Sequence, residues 1–286
     1  VAMTVRAVAT KDLAVTSRSR GLWVLGTLLA LLFAAIAYGF SGYALSASET
    51  VVALFEVLGM VLAFLLPIVA LVAAYMAIAG ERESGGVTFL LGFPNTRRDV
   101  FLGKLASRFL VVAAGLCFPF LAATTVAAAK HGVVHADLVL GQLALSLAYG
   151  GAFVSIAISL SATFATRSRA VAAAIGSYFL LVLLYVVPGV RITAIVRWLH
   201  TQLLGFDPNL DLYNAITFTS PYVAYRKATN LLLPPERQST VFRRYGDAAG
   251  DLPAYLQDEV ALVVLAAWIV VPLALGYWRF VRADLQ

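Results

Sequence analysis

The stretch Gly80–Lys104, GERESGGVTFLLGFPNTRRDVFLGK, separates two long apolar runs and carries seven charged residues, several glycines and one proline. An Arg or Asp at the centre of a bilayer costs about 2.5 to 3.5 kcal/mol on insertion scales, so a segment this charged has to leave the lipid. Its middle is nonetheless apolar. Val87, Phe89, Leu90, Leu91 and Phe93 give a two-turn helix one greasy side, Gly85 and Gly86 permit a sharp turn before it, and Pro94 ends it. Two helical turns are not stable alone in water, so this segment is expected to pack against something. Thr96 and Asp99 follow with the spacing of a capping box, which restarts a helix into the next apolar run.

Outward from that stretch, the 286 residues are 61% hydrophobic and only 13% charged, with a mean hydropathy of +0.88. Soluble domains carry roughly one quarter charged residues, so the chain is an integral membrane protein. Six runs are long enough for helical spans, at 21–41, 51–79, 105–129, 138–165, 170–189 and 260–278. They lack the alternation of a membrane barrel, so the fold class is all-α with six transmembrane helices. Arg18 and Arg20 ahead of the first run resemble the start of a signal peptide, but ~20 apolar residues is long for that role and a retained span is expected. The second run, at 1.5 Å per residue, makes ~43 Å of helix against a hydrocarbon core of about 30 Å, so it should project beyond the headgroups before Gly80.

The 21 Lys and Arg exceed the 15 Asp and Glu. With the N-terminus inside, thirteen of the basic residues fall on cytoplasmic segments, Lys130 alone lies in a short outer loop, and the long loop 190–259 balances seven basic against seven acidic residues. The surplus is therefore topological, no nucleic acid is expected as a partner, and both termini of this multi-pass cell-membrane protein are expected in the cytoplasm. Residues 1–20 place Val1, Val5, Val8 and Ala9 on one side of a helix expected to lie at the lipid interface, with Asp12 interrupting the stripe. Residues 191–206 repeat the theme, with Ile192, Ile195, Val196, Leu199 and Leu203 on one face, and the rest of 190–259 reads as a turn-rich, polar external cap.

The words KDL…SRSRG (11–21) and ERESGG…FP…TRRDVFLGK (81–104) resemble the permease subunits of ABC-2-type transporters, in particular the NosY-like permeases of nitrous-oxide-reductase maturation. The likeness is carried by residues 1–110 and, beyond them, by the six-span plan with its large loop before the last span. It implies one membrane domain over 1–286, with 1–20 as the elbow helix and 80–104 as a cytoplasmic coupling region. Ser84–Phe93 would then be the coupling helix docked on a separate ATPase subunit, with Glu81, Arg82 and Glu83 as its approach and Arg97, Arg98 and the residues to Lys104 as its return. The resemblance also implies a second permease copy, a homodimer, among lipids.

The remaining constellations are weaker. The only Gly-Lys pair, Gly103 and Lys104, lacks the rest of a phosphate-binding loop, so ATP should be bound by the partner and no cofactor by this chain. His131 and His135 have the i, i+4 spacing of a metal pair, but Gly132 between them argues against a fixed helix, and no metal is expected. Glu56, an ionisable residue inside a span, is the candidate for a substrate pathway. Cys117 is expected as a small core residue. Gly151, Ser155, Ser159 and Thr163 repeat every four residues and should let another helix approach closely. An intramembrane protease or lipid transferase, or a scaffold that transports nothing, is the rival class. No G-x-S-G and no H-E-x-x-H motif supports catalysis, and association with an ATPase would separate the readings.

Overall fold

Apolar runs of this length form helices because a bilayer offers the backbone no other partners. The computed structural model describes residues 5–42, 45–84, 96–187, 191–238 and 253–282. Among these, six helices are long and apolar enough to cross a membrane. Helix α1 (Val5–Ser17) precedes α2 (Arg20–Gly39) and α3 (Ala47–Ala74); the short α4 (Ala79–Glu83) follows α3 directly. Then come α5 (Arg97–His131), α6 (Ala136–Thr163) and α7 (Arg167–Tyr178), the last extended by a π-turn over Phe179–Leu183 and by Leu184–Val186. The segment before the last span holds α8 (Ile192–Trp198) with a π-turn at Leu199–Leu203, α9 (Leu210–Phe218) and α10 (Pro221–Ala228). Helix α11 (Val260–Arg282) closes the bundle.

Helix α6 is the axis. Every residue from Tyr149 to Ser159 is buried, and α3, α5, α10 and α11 surround it. The four-residue repeat along α6 serves packing inside the subunit. A methyl group on Gly276 of α11 would sit 2.6 Å from the backbone of Ser159, and one on Gly151 would meet Phe109 at 3.2 Å. Ser159 Oγ lies 2.7 Å from the Ser155 carbonyl and 2.6 Å from that of Pro272, sharing its proton between the two helices. Proline 67 leaves the carbonyl four residues earlier without its helical donor, and the buried Tyr149 hydroxyl donates to that Ala63 oxygen at 2.9 Å.

Three expectations change. Helix α3 does not run on to residue 79: it ends at Ala74, turns through 75–78 and restarts as α4, because Ser161 Oγ of α6 accepts from the backbone N–H groups of Ile78 at 3.0 Å and Ala79 at 2.9 Å. The loop before α11 is more than a polar cap, for α10 inserts among the spans. There Tyr225 is fully buried, stacks on Tyr149 with ring centroids 4.4 Å apart, and takes a hydrogen bond from Gln142 at 2.7 Å. Small residues on one face, Ala224 and Ala228, admit it, and the polar composition of the whole loop had masked that face. Cys117 is exposed on α5, alongside the exposed Phe118 and Leu121, on a face that has no core to enter.

Candidate functional site

The charged ends of the spans collect at one end of the bundle, where α1, α4, the first turns of α5 and the last turn of α11 meet. The capping box read from the sequence is present: Asp99 N–H donates to Thr96 Oγ1 at 3.1 Å, and Thr96 N–H to Asp99 Oδ2 at 3.0 Å. Helix α5 therefore starts at a fixed point. One turn on, Gly103 allows α1 to lie directly on α5, since a Cβ there would come 2.7 Å from Val8.

Beneath that contact lies a buried ionic cluster. Lys104 Nζ, only 3% exposed, donates to Asp12 Oδ1 of α1 at 2.6 Å and also to Glu81 of α4. Arg108 Nη2 reaches the same Asp12 oxygen at 3.1 Å, while its Nη1 donates to the Ala73 carbonyl in the last turn of α3 at 3.2 Å. Two cations meet two carboxylates, so the set is neutral. Asp12 Oδ2 and Glu81 Oε2 are buried with no further donor among the described residues. Breaking one member of such a buried set exposes an uncompensated charge to low dielectric, which costs about 3–5 kcal/mol.

Helix α4 grips three neighbours in succession. Glu81 takes Lys104 of α5, Arg82 Nη1 donates to the Ala162 carbonyl of α6 at 3.5 Å, and Glu83 accepts the Arg167 backbone N–H at the start of α7 at 2.7 Å. The Arg167 guanidinium lies 3.8 Å from the same carboxylate. On the return side, Arg97 donates to the carbonyls of Phe280 at 3.1 Å and Val281 at 2.7 Å, closing the last turn of α11. Arg98 is exposed. Thus Glu81, Arg82, Glu83 and Arg97 hold this end of the bundle together around the two stems, Ser84 and Thr96. Residues 85–95, with Val87, Phe89, Leu90, Leu91 and Phe93, lie outside the described residues.

The cluster was not assembled from the sequence. Asp12 looked like a fault in the apolar stripe of α1, whereas the buried stripe is Val8, Asp12 and Thr16, and the aspartate sits at its centre. The available signal was the pairing of two four-residue spacings, Val8-Asp12-Thr16 on one helix and Lys104-Arg108 on the other. Glu56 lies 3.7 Å from Arg237 in the loop before α11. His135 bonds Ser48 at 2.9 Å, and no group of three potential metal ligands converges among the described residues.

A family model described as ABC-2 family transporter protein matches residues 6–285. The chain is similar to a probable ABC transporter permease protein NosY of Pseudomonas aeruginosa, 30% identical over 289 residues that cover 96% of this chain and 97% of the relative. It is similar to the same extent, over 290 residues with the same coverage, to the probable NosY permease of Stutzerimonas stutzeri.

Proposed function

The chain belongs to the ABC-2 transporter family as a membrane permease, and on that premise we propose that residues 80–104 are its coupling region, with 84–93 as the coupling helix docked on a separate ABC ATPase that binds and hydrolyses the ATP. The α1 end faces the cytoplasm with both termini, and α1 is the elbow helix. Two permease copies form the transporter, and ATP binding by their ATPases switches the pair between inward and outward access to export a cargo. The wording of residues 81–104 and the NosY-named relatives extend this reading to nitrous-oxide-reductase maturation.

One observation carries the reading. The stem entering the segment, α4, and the stem leaving it, the first turns of α5, are clamped to each other and to α1 by Lys104. A short apolar wedge held between charges is what force transfer into a bundle requires: the wedge supplies affinity and the charges set register. A displacement delivered between Ser84 and Thr96 then moves α1, α4 and α5 together, because separating them would strand a buried charge. The test is recovery of the cognate ATPase on the purified permease. Leu90→Asp with Leu91→Asp should abolish recovery and permease-stimulated hydrolysis while the permease still inserts and elutes as a single species. Equal recovery and equal stimulation by that variant would overturn the proposal.

A further inference from the structure

At the opposite end of the bundle, α8 with its π-turn, α9 and α10 enclose a cleft of about 930 Å³. Arg191, just before α8, Arg197 in α8 and Arg226 in α10 all line it. No Asp or Glu does, and none of the ion pairs among the described residues involves these three guanidiniums. Among the described residues the buried lysines Lys104 and Lys227 and the half-buried Arg108 and Arg237 each meet a carboxylate, while Arg82 and Arg97 donate to backbone carbonyls. Three like charges around one concavity raise its positive potential and favour an anion there, although water already screens the exposed Arg191 and Arg197.

Two further groups point the same way. Asn214 is a lining residue, and its Nδ2 is buried without an acceptor among the described residues, a donor that calls for a partner. Tyr222 lines the cleft together with Arg191 and Arg226 and adds a neutral hydroxyl to the set. The cleft thus offers guanidinium forks and neutral donors but no competing carboxylate. Guanidinium forks match centres with several terminal oxygens, such as phosphate, better than they match a spherical ion.

We infer that this cleft binds an oxyanion group of the phosphate or sulfate type, carried by a lipid headgroup or free in solution. Trp198, Leu203, Leu204 and Phe206 stand exposed beside it, an apolar rim of the kind that sits among acyl chains at the interface. The site goes beyond the coupling reading, and its test needs no ATPase.

The experiment has two arms on the full chain purified in neutral detergent. In the first, inorganic phosphate and sulfate are titrated at constant ionic strength while tryptophan fluorescence is followed, Trp198 being a lining residue. In the second, retention of phosphatidylglycerol against phosphatidylcholine is read by native mass spectrometry. Saturable binding is expected in at least one arm, weakened tenfold or more by Arg226→Gln and by Arg191→Gln with Arg197→Gln. Arg169→Gln, on the exposed surface at the other end, should leave it unchanged. Arg191 and Arg197 are themselves exposed, so the double variant keeps the test alive if Arg226→Gln fails to fold. An effect confined to the first arm identifies a free anion and one confined to the second a headgroup. Absence of saturable binding in both arms, or binding that the cleft variants leave intact, overturns the inference.

Discussion

Lys104 is where three elements meet on one ammonium group, and its value follows from burial rather than from the number of its bonds. At 3% exposure its pairing with Asp12 and Glu81 is shielded from solvent, unlike Glu83 and Arg167, which are 47% and 54% exposed and whose pair should contribute about 0–1 kcal/mol. Lys104→Met is therefore expected to cost about 3 kcal/mol or more, read as a lowered unfolding midpoint in detergent by size-exclusion fluorescence. Adding Glu81→Gln removes the stranded carboxylate and leaves Asp12 matched to Arg108, so the double variant should recover most of the loss. A single variant as stable as wild type, or a double variant no better than the single, would refute the assignment. A sequence shows each of these residues but not their meeting: Asp12 and Lys104 are 92 positions apart, and the periodicity of one helix does not say which face its neighbour will take.

At the scale of elements, the six spans were legible because apolar length is a local property, and their ends fall within a few residues of the expected positions apart from the start of the third, which begins at Arg97. The break between α3 and α4 was not legible. No glycine or proline lies between Ala70 and Ile78, and what stabilises the turn is an acceptor on α6 more than 80 residues away. Ser161→Ala would leave two buried N–H groups unmatched, at a cost of about 1–3 kcal/mol. Hydrogen exchange in peptides covering 75–83 should then be faster than in wild type, whereas Ser17→Ala, whose hydroxyl bonds only within α1, should not alter it. Unchanged exchange in the Ser161 variant would show that the break stands without it. Insertion of α10 is hidden from the sequence for a similar reason, since the fit of Tyr225 against Gln142 and Tyr149 joins residues about 80 positions apart.

Across the whole molecule the two ends differ in kind. One carries a neutral, buried ionic cluster that binds α1, α4 and α5 around the exit and return of residues 85–95; the other carries an arginine-lined cleft with no carboxylate among its described lining residues. Basic residues counted along the sequence suggested the orientation, and the fold groups most of those charges at the α1 end, but the direction in which that end faces is a property of the membrane and not of the chain alone. Site-directed labelling decides it together with the coupling proposal. In a Cys117→Ser background, single cysteines are placed at Leu91→Cys and at Gln202→Cys, which is exposed at the cleft end. In right-side-out vesicles, Gln202→Cys should react with a membrane-impermeant maleimide, while Leu91→Cys should react only after permeabilisation and should cross-link to the ATPase subunit. Labelling of Leu91→Cys from outside sealed vesicles, with no cross-link to the ATPase, would contradict the account.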